Sequence, residues 1–384
     1  MNFLKMLSDQ ENRRYARQLA LKNFGARAQE KLLASSVLVI GAGGLGCPAL
    51  LYLAGAGVGK IGIVDHDSVS LSNLHRQILY KVSDIGKLKA DCAAAALLAL
   101  NPGISITAYP YALDTENAWE IISGFDVIID GTDHFSTRYM INDACVLLGK
   151  PLVYGAVSGF EGQVSVFNMV RSTGERSVNY RDLFPNPPQE EMIPNCEEAG
   201  VLGVLPGIIG TMQANEAIKI ITETGTALAN QLLTYNALNN EVFSFGIPLS
   251  SIAMSLLPSG REAFENKDYV LECADPAKVI FTIDAIFFDQ LKDNDDVIII
   301  DVREKGELPE VNEFSHLQIP LSRLKNEMPA LKQHTIIAFC QVGQRSLIAA
   351  RSMADHFGSA KKVYSLGGGI VNWKKSLAYE GKKA

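Results

Sequence analysis

The segment Val37–Gly46 restricts the possible folds of this 384-residue chain more than any other feature. Four apolar residues, Val-Leu-Val-Ile, run directly into Gly-Ala-Gly-Gly-Leu-Gly, and an apolar stretch with helical character follows. Glycines permit a tight turn and let the backbone approach a bound phosphate, while the N-terminus of the next helix supplies oriented N–H groups. The segment therefore predicts a strand, a phosphate-binding turn and a helix.

Short β-branched runs alternate with Ala- and Leu-rich stretches along the first part of the chain. The predicted strands are Val37–Ile40, Lys60–Val64, Ile104–Tyr109, Val127–Asp130 and Leu152–Tyr154. The predicted helices are Leu45–Gly55, Gly86–Leu100, Ala118–Ile122 and Thr137–Leu148. Such alternation indicates βαβ crossovers, so the predicted fold class is α/β, with a Rossmann-like, doubly wound and mostly parallel sheet.

Three later runs alternate apolar and polar residues and predict an antiparallel extension of that sheet. They are Gly162–Asn168, Leu232–Asn236 and Glu241–Phe245. Between the first two, Arg181–Ala199 is rich in Pro, Asn and Glu, so we expect a long exposed loop there. The helix Val201–Ile221 is predicted to follow this loop.

A second strand–helix pattern begins near residue 278 and predicts a smaller α/β domain. Its predicted strands are Val297–Asp301, Thr335–Phe339 and Lys362–Ser365, and its predicted helix is Ser346–Phe357. We therefore predict one domain over residues 1–247, a linker or packing segment over 248–277, and the smaller domain over 278–384.

The composition excludes several classes of function. Lys and Arg number 35 against 42 Asp and Glu, and a net charge of -7 argues against a nucleic-acid-binding protein, which needs a basic surface. No apolar run reaches the ~18 residues that span a bilayer. The N-terminus lacks the apolar stretch of a secretory signal. We expect a cytoplasmic protein that contacts neither nucleic acid nor membrane.

Charged residues that follow the glycine turn indicate which nucleotide the site binds. Asp65 follows the next predicted strand, where a carboxylate can accept hydrogen bonds from ribose hydroxyls. Arg76 and Lys89 would bring two cations to one cleft, which suits a triphosphate better than the two phosphates of a dinucleotide. Asp133, at the end of the run Asp130–Asp133, can hold Mg²⁺ together with water and phosphate oxygens.

Several motifs, taken in order, resemble the ubiquitin-activating-type adenylyltransferases of the branch that activates molybdopterin-synthase or thiazole sulfur carriers (the HesA/MoeB/ThiF family). The motifs are Arg14–Gln18, Gly41–Pro48, Asp65–Gln77, Gly131–His134 and Asn195–Val201. The resemblance implies a homodimer that binds ATP and Mg²⁺. It also implies that this dimer adenylates the C-terminal Gly-Gly carboxylate of a small ubiquitin-like sulfur carrier protein.

The resemblance implies a role for each matching residue. Gly44 would approach the phosphates, Asp65 would bind the ribose, and Asp133 would hold the metal. Arg17 looks like the arginine that such enzymes supply across the dimer interface. The other positions implied to contact the nucleotide are Gly41, Gly43, Gly46, Asp67, Ser72, Asn73, Leu74, His75, Arg76, Lys89 and His134. His134 departs from the family pattern, which commonly has Asn at this position.

Cys196 lies near the end of the predicted loop and matches the cysteine that larger ubiquitin-activating enzymes use to form a thioester. Its polar neighbours favour exposure over burial. The flanking residues Glu197 and Glu198 would raise rather than lower the pKa of a thiol. These residues leave a catalytic role and a structural role for Cys196 both open.

Cys340 is followed by Gln-Val-Gly-Gln-Arg-Ser and lies between a predicted strand and a predicted helix. A loop of this length can wrap N–H groups around the sulfur, which with the helix N-terminus lowers the thiol pKa and stabilises a persulfide. Four residues separate Cys340 from Arg345, one fewer than in cysteine-dependent phosphatases, which favours sulfur over phosphate as the bound group. The segment resembles the active loop of a rhodanese, and the resemblance extends over residues 278–377.

Two other functions fit part of the sequence. A nicotinamide-dependent oxidoreductase would share the glycine turn but would leave Arg76, Lys89 and the Cys340 loop unexplained. An ATP-binding regulatory protein without turnover would not need the complete charged set. We favour an adenylyltransferase joined to a sulfurtransferase that receives sulfur from a cysteine desulfurase or from thiosulfate. The sequence leaves the carrier protein and its pathway open.

The cysteine positions predict that the structural zinc usual in this branch is absent. Six cysteines stand at positions 47, 92, 145, 196, 273 and 340, so the chain contains no CxxC pair. The resemblance places the two zinc-binding pairs near Ser177–Asp182 and near Tyr269–Glu272, beside the lone Cys273. Apolar packing or hydrogen bonding must then hold these two stretches in place.

Overall fold

The structure is a computed structural model and describes residues 7–170, 174–185, 187, 200–269, 281–324, 328 and 331–380. The chain forms two compact units, one over residues 1–273 and one over residues 274–384. Within the part of the chain that the structure describes, no helix combines the length and the apolarity that crossing a bilayer requires.

The first unit contains one eight-stranded sheet. Its strands are β1 (Ser36–Ile40), β2 (Lys60–Val64), β3 (Ser105–Tyr109), β4 (Val127–Asp130), β5 (Leu152–Ser158), β6 (Glu161–Phe167), β7 (Gln231–Asn236) and β8 (Glu241–Gly246). They lie in the order β3-β2-β1-β4-β5-β6-β7-β8. Pairing is parallel from β3 to β5 and antiparallel from β5 to β8. This confirms the predicted doubly wound sheet with its antiparallel extension.

Helices cover both faces of this sheet. They are α1 (Asp9–Arg14), α2 (Ala16–Leu19), α3 (Gly25–Ala34), α4 (Gly46–Ala56), α5 (Lys89–Leu100), α6 (Ala118–Ser123), α7 (Phe135–Leu148), α8 (Tyr180–Leu183), α9 (Val204–Thr222) and α10 (Arg261–Glu265). Short 3-10 helices span Leu71–Asn73, Val82–Asp84 and Ala253–Leu256. Successive strand residues point to opposite faces, so Val39 joins a core with Leu50 of α4, whereas Leu38 joins a core with Ile141 of α7.

Differences from the predicted elements have local causes. The helix predicted over Gly86–Leu100 begins only at Lys89, because Gly86 has a φ of 86° that a helix does not allow. Strand β5 continues past its predicted end at Tyr154 to Ser158, because β6 pairs with it along its whole length. These are shifts of element boundaries, not of topology.

The predicted exposed loop Arg181–Ala199 is wrong at its first residues. Helix α8 includes Arg181, and the side chain of Arg181 is completely buried. A buried arginine needs a carboxylate partner, and that partner lies in a helix 38 residues earlier in the chain. Residues 186 and 188–199 of the predicted loop lie outside the described residues.

The second unit has a five-stranded, fully parallel sheet of order β11-β10-β12-β13-β9. Its strands are β9 (Phe281–Ile283), β10 (Val297–Asp301), β11 (Leu317–Gln318), β12 (Thr335–Phe339) and β13 (Lys362–Leu366). Its helices are α11 (Ala285–Leu291), α12 (Leu321–Leu324), α13 (Gln344–Phe357) and α14 (Gly369–Glu380). Ile337 of β12 packs with Trp373 of α14 on one face, and Ile336 packs with Met353 of α13 on the other. The predicted second α/β fold is confirmed.

The described part of the segment predicted as a linker, residues 248–269, packs onto the first unit. Phe264 of α10 is fully buried and lies against Trp119 and Tyr269, with ring centroids 6.0 and 5.9 Å away. Burying aromatic rings stabilises the folded chain through their large apolar area. This segment therefore belongs to the core of the first unit.

A buried ion-pair network joins the two stretches where the family resemblance places zinc ligands. Arg181 donates from Nε to Asp143 Oδ1 at 2.8 Å and from Nη2 to Asp143 Oδ2 at 2.8 Å, and both side chains are fully buried. The Tyr269 hydroxyl donates to Asp143 Oδ2 at 2.9 Å, and Lys267 Nζ lies 3.4 Å from the same oxygen. Asp143 of α7 thus connects α8 to the segment that follows β8.

We expect Asp143→Ala to destabilise the first unit by about 3–5 kcal/mol, because it removes a carboxylate that binds the fully buried Arg181 guanidinium through two hydrogen bonds. The chain has 2 tryptophans, Trp119 in the first unit and Trp373 in the second. In a Trp373→Phe background, tryptophan fluorescence therefore reports on the first unit. Urea unfolding of the full chain, followed by this signal, measures the loss.

The matched control is Glu223→Gln, which removes a surface ion pair with Lys31. The Glu223 side chain is 77% exposed, and we expect this control to cost less than ~1 kcal/mol. Equal losses in the two variants would show that the buried network does not stabilise the unit.

Candidate functional site

A cleft of about 470 Å³ opens at the carboxyl ends of β1, β2 and β4. Its walls come from the turn after β1, the segment after β2, the first residue of α5 and the turn after β4. In open parallel sheets, ligands bind at the edge where the strand order reverses, which here lies between β1 and β4. The predicted site residues that line it are Gly41, Gly43, Gly44, Asp65, Asp67, Ser72, Asn73, Arg76, Lys89, Asp133 and His134.

The glycine turn is held in a conformation that larger residues could not adopt. Gly41 has a φ of 91°, and a Cβ there would lie 2.8 Å from the carbonyl oxygen of Gly131. A Cβ on Gly46 would overlap the carbonyl oxygen of Gly41. Ala42 is fixed from both sides, since its N–H donates to Asp65 Oδ2 at 2.8 Å and its carbonyl accepts from the Tyr80 hydroxyl at 2.7 Å. The N-terminus of α4 is thereby placed at the cleft.

Asp65 lies where the turn meets β2. Besides the N–H of Ala42, its carboxylate accepts the N–H of Asp67 at 2.9 Å. Burial raises the pKa of Asp65 above its ordinary value, although the nearby charge of Lys89 and these two N–H groups oppose the shift. Because a carboxylate has about four acceptor positions, Asp65 can also accept hydrogen bonds from ligand hydroxyls in the cleft.

Lys89 and Asp67 form an ion pair on the wall of the cleft. Lys89 Nζ donates to Asp67 Oδ2 at 2.8 Å, and the lysine side chain is 6% exposed. Burial raises the pKa of Asp67, but the hydrogen bond and the charge of Lys89 outweigh burial and lower it below its ordinary value. An ammonium group has three N–H donors, so Lys89 can hold Asp67 and a phosphate oxygen together.

Arg76 lies beside the glycine turn. Its Nη1 donates to the Ser72 carbonyl at 3.1 Å and lies 2.8 Å from Nε2 of His75. A Cβ on Gly44 would be 3.7 Å from Cδ of Arg76. Asn73 is buried and its side chain accepts the backbone N–H of Ser70 at 3.2 Å, which fixes the 3-10 turn that precedes Arg76. The side chain of Arg76 thus lies next to the glycine turn.

Asp130 and Asp133 have different surroundings. Asp130 is buried, and its Oδ1 accepts from the N–H of Thr132 at 2.9 Å and from the Thr132 hydroxyl at 2.7 Å. Burial raises the pKa of Asp130, with Arg138 and Thr132 opposing the shift. The side chain of Asp133 is 53% exposed and lines the cleft. Asp130 therefore holds the turn, while Asp133 faces the cleft.

The donor set at Asp133 fits a magnesium ion that arrives with a nucleotide. In the described residues, no three His, Cys, Asp or Glu side chains lie close enough to hold a metal by themselves. Mg²⁺ commonly takes one or two carboxylates and completes its ligand shell with water and phosphate oxygens. His134 occupies the N-cap position of α7 without a side-chain capping bond, so its ring is not committed to the helix.

Several predicted site residues do not line the cleft. Gly46 packs against Gly41, and Leu74 packs against the core shared with α4. His75 lines a separate groove between the 3-10 turn and α9. Arg17 lies on the exposed surface of α2, away from the cleft of its own chain. Cys196 lies outside the described residues.

Sequence reasoning missed part of the cleft wall. Gln77 is buried there, and its Oε1 has no hydrogen-bond partner among the described residues. Arg138 of α7 is 8% exposed and donates from Nη2 to the Thr132 carbonyl at 2.7 Å. Gln77 is the last residue of the motif Asp65–Gln77, and Arg138 lies one helical turn after His134, the last residue of the motif Gly131–His134. These positions are the signal that could have identified them.

A second candidate site lies where β12 ends. Cys340 is buried beneath the loop that leads to α13, and the N–H of Gly343 donates to its Sγ at 3.1 Å. Burial raises the pKa of the Cys340 thiol. Hydrogen bonds from the Ser346 side chain and from backbone N–H groups of the loop outweigh burial and lower this pKa below its ordinary value. The loop therefore stabilises an anionic sulfur.

Arg345, the cation of this loop, is paired with Glu307. Its Nη1 and Nη2 each donate to one carboxylate oxygen of Glu307, both at 2.6 Å. The hydrogen bonds from Arg345 lower the pKa of Glu307 to about 2, against a smaller effect of burial. The structure brings Cys340 and Arg345 together at one loop, as predicted, but the guanidinium binds the Glu307 carboxylate.

Sequence comparison identifies two regions of known type. The ThiF family matches residues 15–251, and the rhodanese-like domain matches residues 285–376. A "Probable adenylyltransferase/sulfurtransferase MoeZ" of Mycobacterium tuberculosis is 40% identical and aligns over 97% of this chain and 95% of its own length. An "Adenylyltransferase and sulfurtransferase MOCS3" of Arabidopsis thaliana is 38% identical over 97% of this chain and 85% of its own.

Other relatives match the first unit. A "Sulfur carrier protein adenylyltransferase" of Thermus thermophilus is 51% identical over 59% of this chain and 83% of its own length. The crystal structure of E. coli MccB with ATP has a similar fold, with a TM-score of 0.53 at 22% identity over 64% of this chain and 74% of that chain. The glycine turn, the cleft and the Cys340 loop lie within the matched regions. The chain therefore belongs to the ThiF family and carries a rhodanese-like domain after its ThiF region.

Proposed function

We propose that the first unit uses ATP to adenylate the C-terminal carboxylate of a small ubiquitin-like sulfur carrier protein that ends in Gly-Gly. One observation carries the proposal: Asp65, Arg76, Lys89 and Asp133 come from four separate segments and line one cleft beside the glycine turn. The printed names of the relatives, which include a sulfur carrier protein adenylyltransferase, support the same reaction.

The reaction explains why such a cleft needs cations. A carboxylate is a poor electrophile, and its attack on the α-phosphate of ATP converts it into a mixed anhydride with AMP while pyrophosphate leaves. Negative charge grows on the α-phosphoryl oxygens and on pyrophosphate. Fixed cations placed where this charge develops lower the barrier. In this proposal no protein side chain forms a covalent bond during adenylation.

The predicted nucleotide-binding residues of the cleft then have distinct roles. The glycine turn binds phosphate through backbone N–H groups, and Asp65 accepts the ribose hydroxyls. Asn73, Arg76 and Lys89 hold the phosphates, as their positions in the cleft allow. Asp133 holds Mg²⁺, which when bound adds positive charge against the phosphates.

The proposed enzyme is a homodimer in which Arg17 completes the cleft of the partner subunit. Arg17 is exposed on α2 and does not line the cleft of its own chain. A guanidinium can donate two parallel hydrogen bonds to phosphate oxygens. An arginine supplied in trans would therefore add a further positive charge that stabilises the transition state. This assignment rests on the family resemblance and on the position of Arg17.

The second unit is proposed to supply sulfur. Its Cys340 thiolate would take a sulfane sulfur from a donor, such as thiosulfate or the persulfide of a cysteine desulfurase, and carry it as a persulfide. The terminal persulfide sulfur would attack the carrier's acyl-adenylate and release AMP, which leaves the carrier joined to Cys340 through an acyl disulfide. An external thiol would then reduce this S–S bond, free the carrier thiocarboxylate and restore the Cys340 thiol through thiol–disulfide exchange. The lowered pKa of Cys340 and the N–H bond from Gly343 support this role.

Arg76→Ala and Asp133→Ala should each lower carrier-dependent ATP–pyrophosphate exchange by about 10²–10³. The first leaves transition-state charge uncompensated, and the second removes the proposed metal ligand. The control is Lys87→Ala, which removes a side chain that is 60% exposed and paired with Asp84. Calorimetry showing tight NAD(H) binding and no ATP binding would overturn the proposal.

Mixing Arg17→Ala chains with Asp133→Ala chains should restore part of the exchange activity, because a hybrid dimer would contain one intact cleft. Mixing Arg76→Ala with Asp133→Ala is the matched control. Both of these residues line the cleft of one chain, so that mixture should stay inactive. No recovery in confirmed Arg17/Asp133 hybrids would contradict the contribution in trans.

Cys340→Ala should abolish sulfurtransferase activity and leave carrier-dependent pyrophosphate exchange unchanged, because the proposed adenylation uses no thiol. Cys92→Ala serves as the control, since Cys92 lies on α5 and its thiol pKa is raised by burial. The control should keep both activities. If folded Cys340→Ala loses both, the two units do not divide the reaction as proposed.

A further inference from the structure

The Cys340 loop contains one charged side chain, Arg345, within the sequence Cys340–Ser346. An anionic sulfur donor that approaches this loop would meet that cation first. Both terminal nitrogens of the guanidinium are already used by Glu307, at 2.6 Å each. Two parallel bonds to one carboxylate use the same N–H directions that would bind an oxyanion.

Glu307 is held in position independently of Arg345. Its Oε1 also accepts the backbone N–H of Glu304 at 2.8 Å. Arg303, buried and paired with Asp301 at 2.6 Å, donates to the Pro309 carbonyl at 2.8 Å and so anchors the chain just after Glu307. A carboxylate fixed in this way competes with a ligand for the guanidinium.

The segment that carries Glu307 also contacts the cysteine loop directly. Gln341 Nε2 donates to the Leu308 carbonyl at 3.2 Å. Leu308 and Val342 are 69% and 59% exposed, so two apolar side chains meet solvent beside the sulfur. Exposed apolar side chains and a neutralised cation offer little binding energy to a small, strongly hydrated dianion.

We infer that Glu307 is a specificity-determining residue: by occupying the Arg345 guanidinium, it lowers the reactivity of the site toward small dianionic sulfur donors such as thiosulfate. The inference rests on the proposed role of Cys340 as the sulfur acceptor. Glu307 carries its negative charge throughout the neutral pH range, because Arg345 lowers its pKa to about 2.

The chemistry of the two donor classes explains the selectivity. With thiosulfate, the Cys340 thiolate attacks the outer sulfur, an Sγ–S bond forms, and the S–S bond breaks with its electron pair leaving on sulfite, a dianion. With a thiol persulfide, the same bond forms, but the leaving group is a thiolate with one negative charge. No oxidant or reductant is required in either step. A free guanidinium would favour the first reaction more, since charge grows on the sulfite oxygens.

The test compares full-length wild type with Glu307→Gln, which keeps the shape of the side chain and removes its charge. We expect kcat/KM for thiosulfate, measured as thiosulfate:cyanide sulfurtransferase activity, to rise about tenfold to a hundredfold, the range of a charged hydrogen bond. Loading of Cys340 by cysteine persulfide should change by less than about twofold, since its leaving group needs no dianion site. This unchanged loading also reports that the variant is folded.

Two further variants identify the cause. Glu310→Gln removes an equal charge from an exposed residue nearby and should leave thiosulfate activity unchanged. In Glu307→Gln/Arg345→Ala the gain should disappear, because the freed cation is gone. No gain in Glu307→Gln, or an equal gain in Glu310→Gln, would overturn the inference. Cys340→Ala separates this outcome from failure of the proposed function, because a fully active Cys340→Ala would overturn the acceptor role itself.

Discussion

The close approach of the backbone at the ends of β1 and β4 is the constraint on which the first unit depends. Gly41 lies so near Gly131 that a Cβ on Gly41 would be 2.8 Å from the carbonyl oxygen of Gly131. Gly46, the first residue of α4, in turn packs against the backbone of Gly41. With side chains at these positions, the turn could not form and the helix N-terminus would move away from the sheet edge. Asp65 then fixes the turn through Ala42, and the cations gather around it.

The two units use the same physical device for different anions. In each, a buried parallel strand ends in a short turn that leads into a helix, at Gly41–Gly46 in one and at Cys340–Ser346 in the other. Backbone N–H groups and the helix N-terminus stabilise negative charge there. In the first unit the charge belongs to a proposed ligand, whereas in the second it belongs to the protein's own sulfur.

The sequence predicted what local patterns encode. Strands buried on both faces, such as Val127–Asp130, are nearly continuous apolar runs. The glycine turn is recognisable in the sequence because Gly41 and Gly46 leave no room for a Cβ. Motif order also predicted which charged residues share the cleft. Leu74 and His75 belong to the same motif but do not line the cleft. A motif alone does not show which of its side chains faces the cleft and which packs elsewhere.

Long-range pairs could not be predicted. Asp143 and Arg181 are 38 residues apart in the sequence, as are Glu307 and Arg345. The sequence around each of these residues does not predict which distant residue it pairs with. The short strands β9 and β11 were missed for a related reason. With three and two residues, they are too short to show a period, and only pairing with neighbouring strands defines them.

The mass of a Gly-Gly-terminated carrier protein tests the central claim most directly, when the carrier is incubated with the full-length chain, ATP, Mg²⁺ and a persulfide donor and then treated with a thiol that cleaves the acyl disulfide. The claim is that one chain activates the carrier's carboxylate and then delivers sulfur to it. We predict a mass increase equal to the exchange of one oxygen for one sulfur, seen only when ATP and the donor are both present. A thiocarboxylate that forms without ATP, or an unchanged carrier although Cys340 carries a persulfide, would contradict this account.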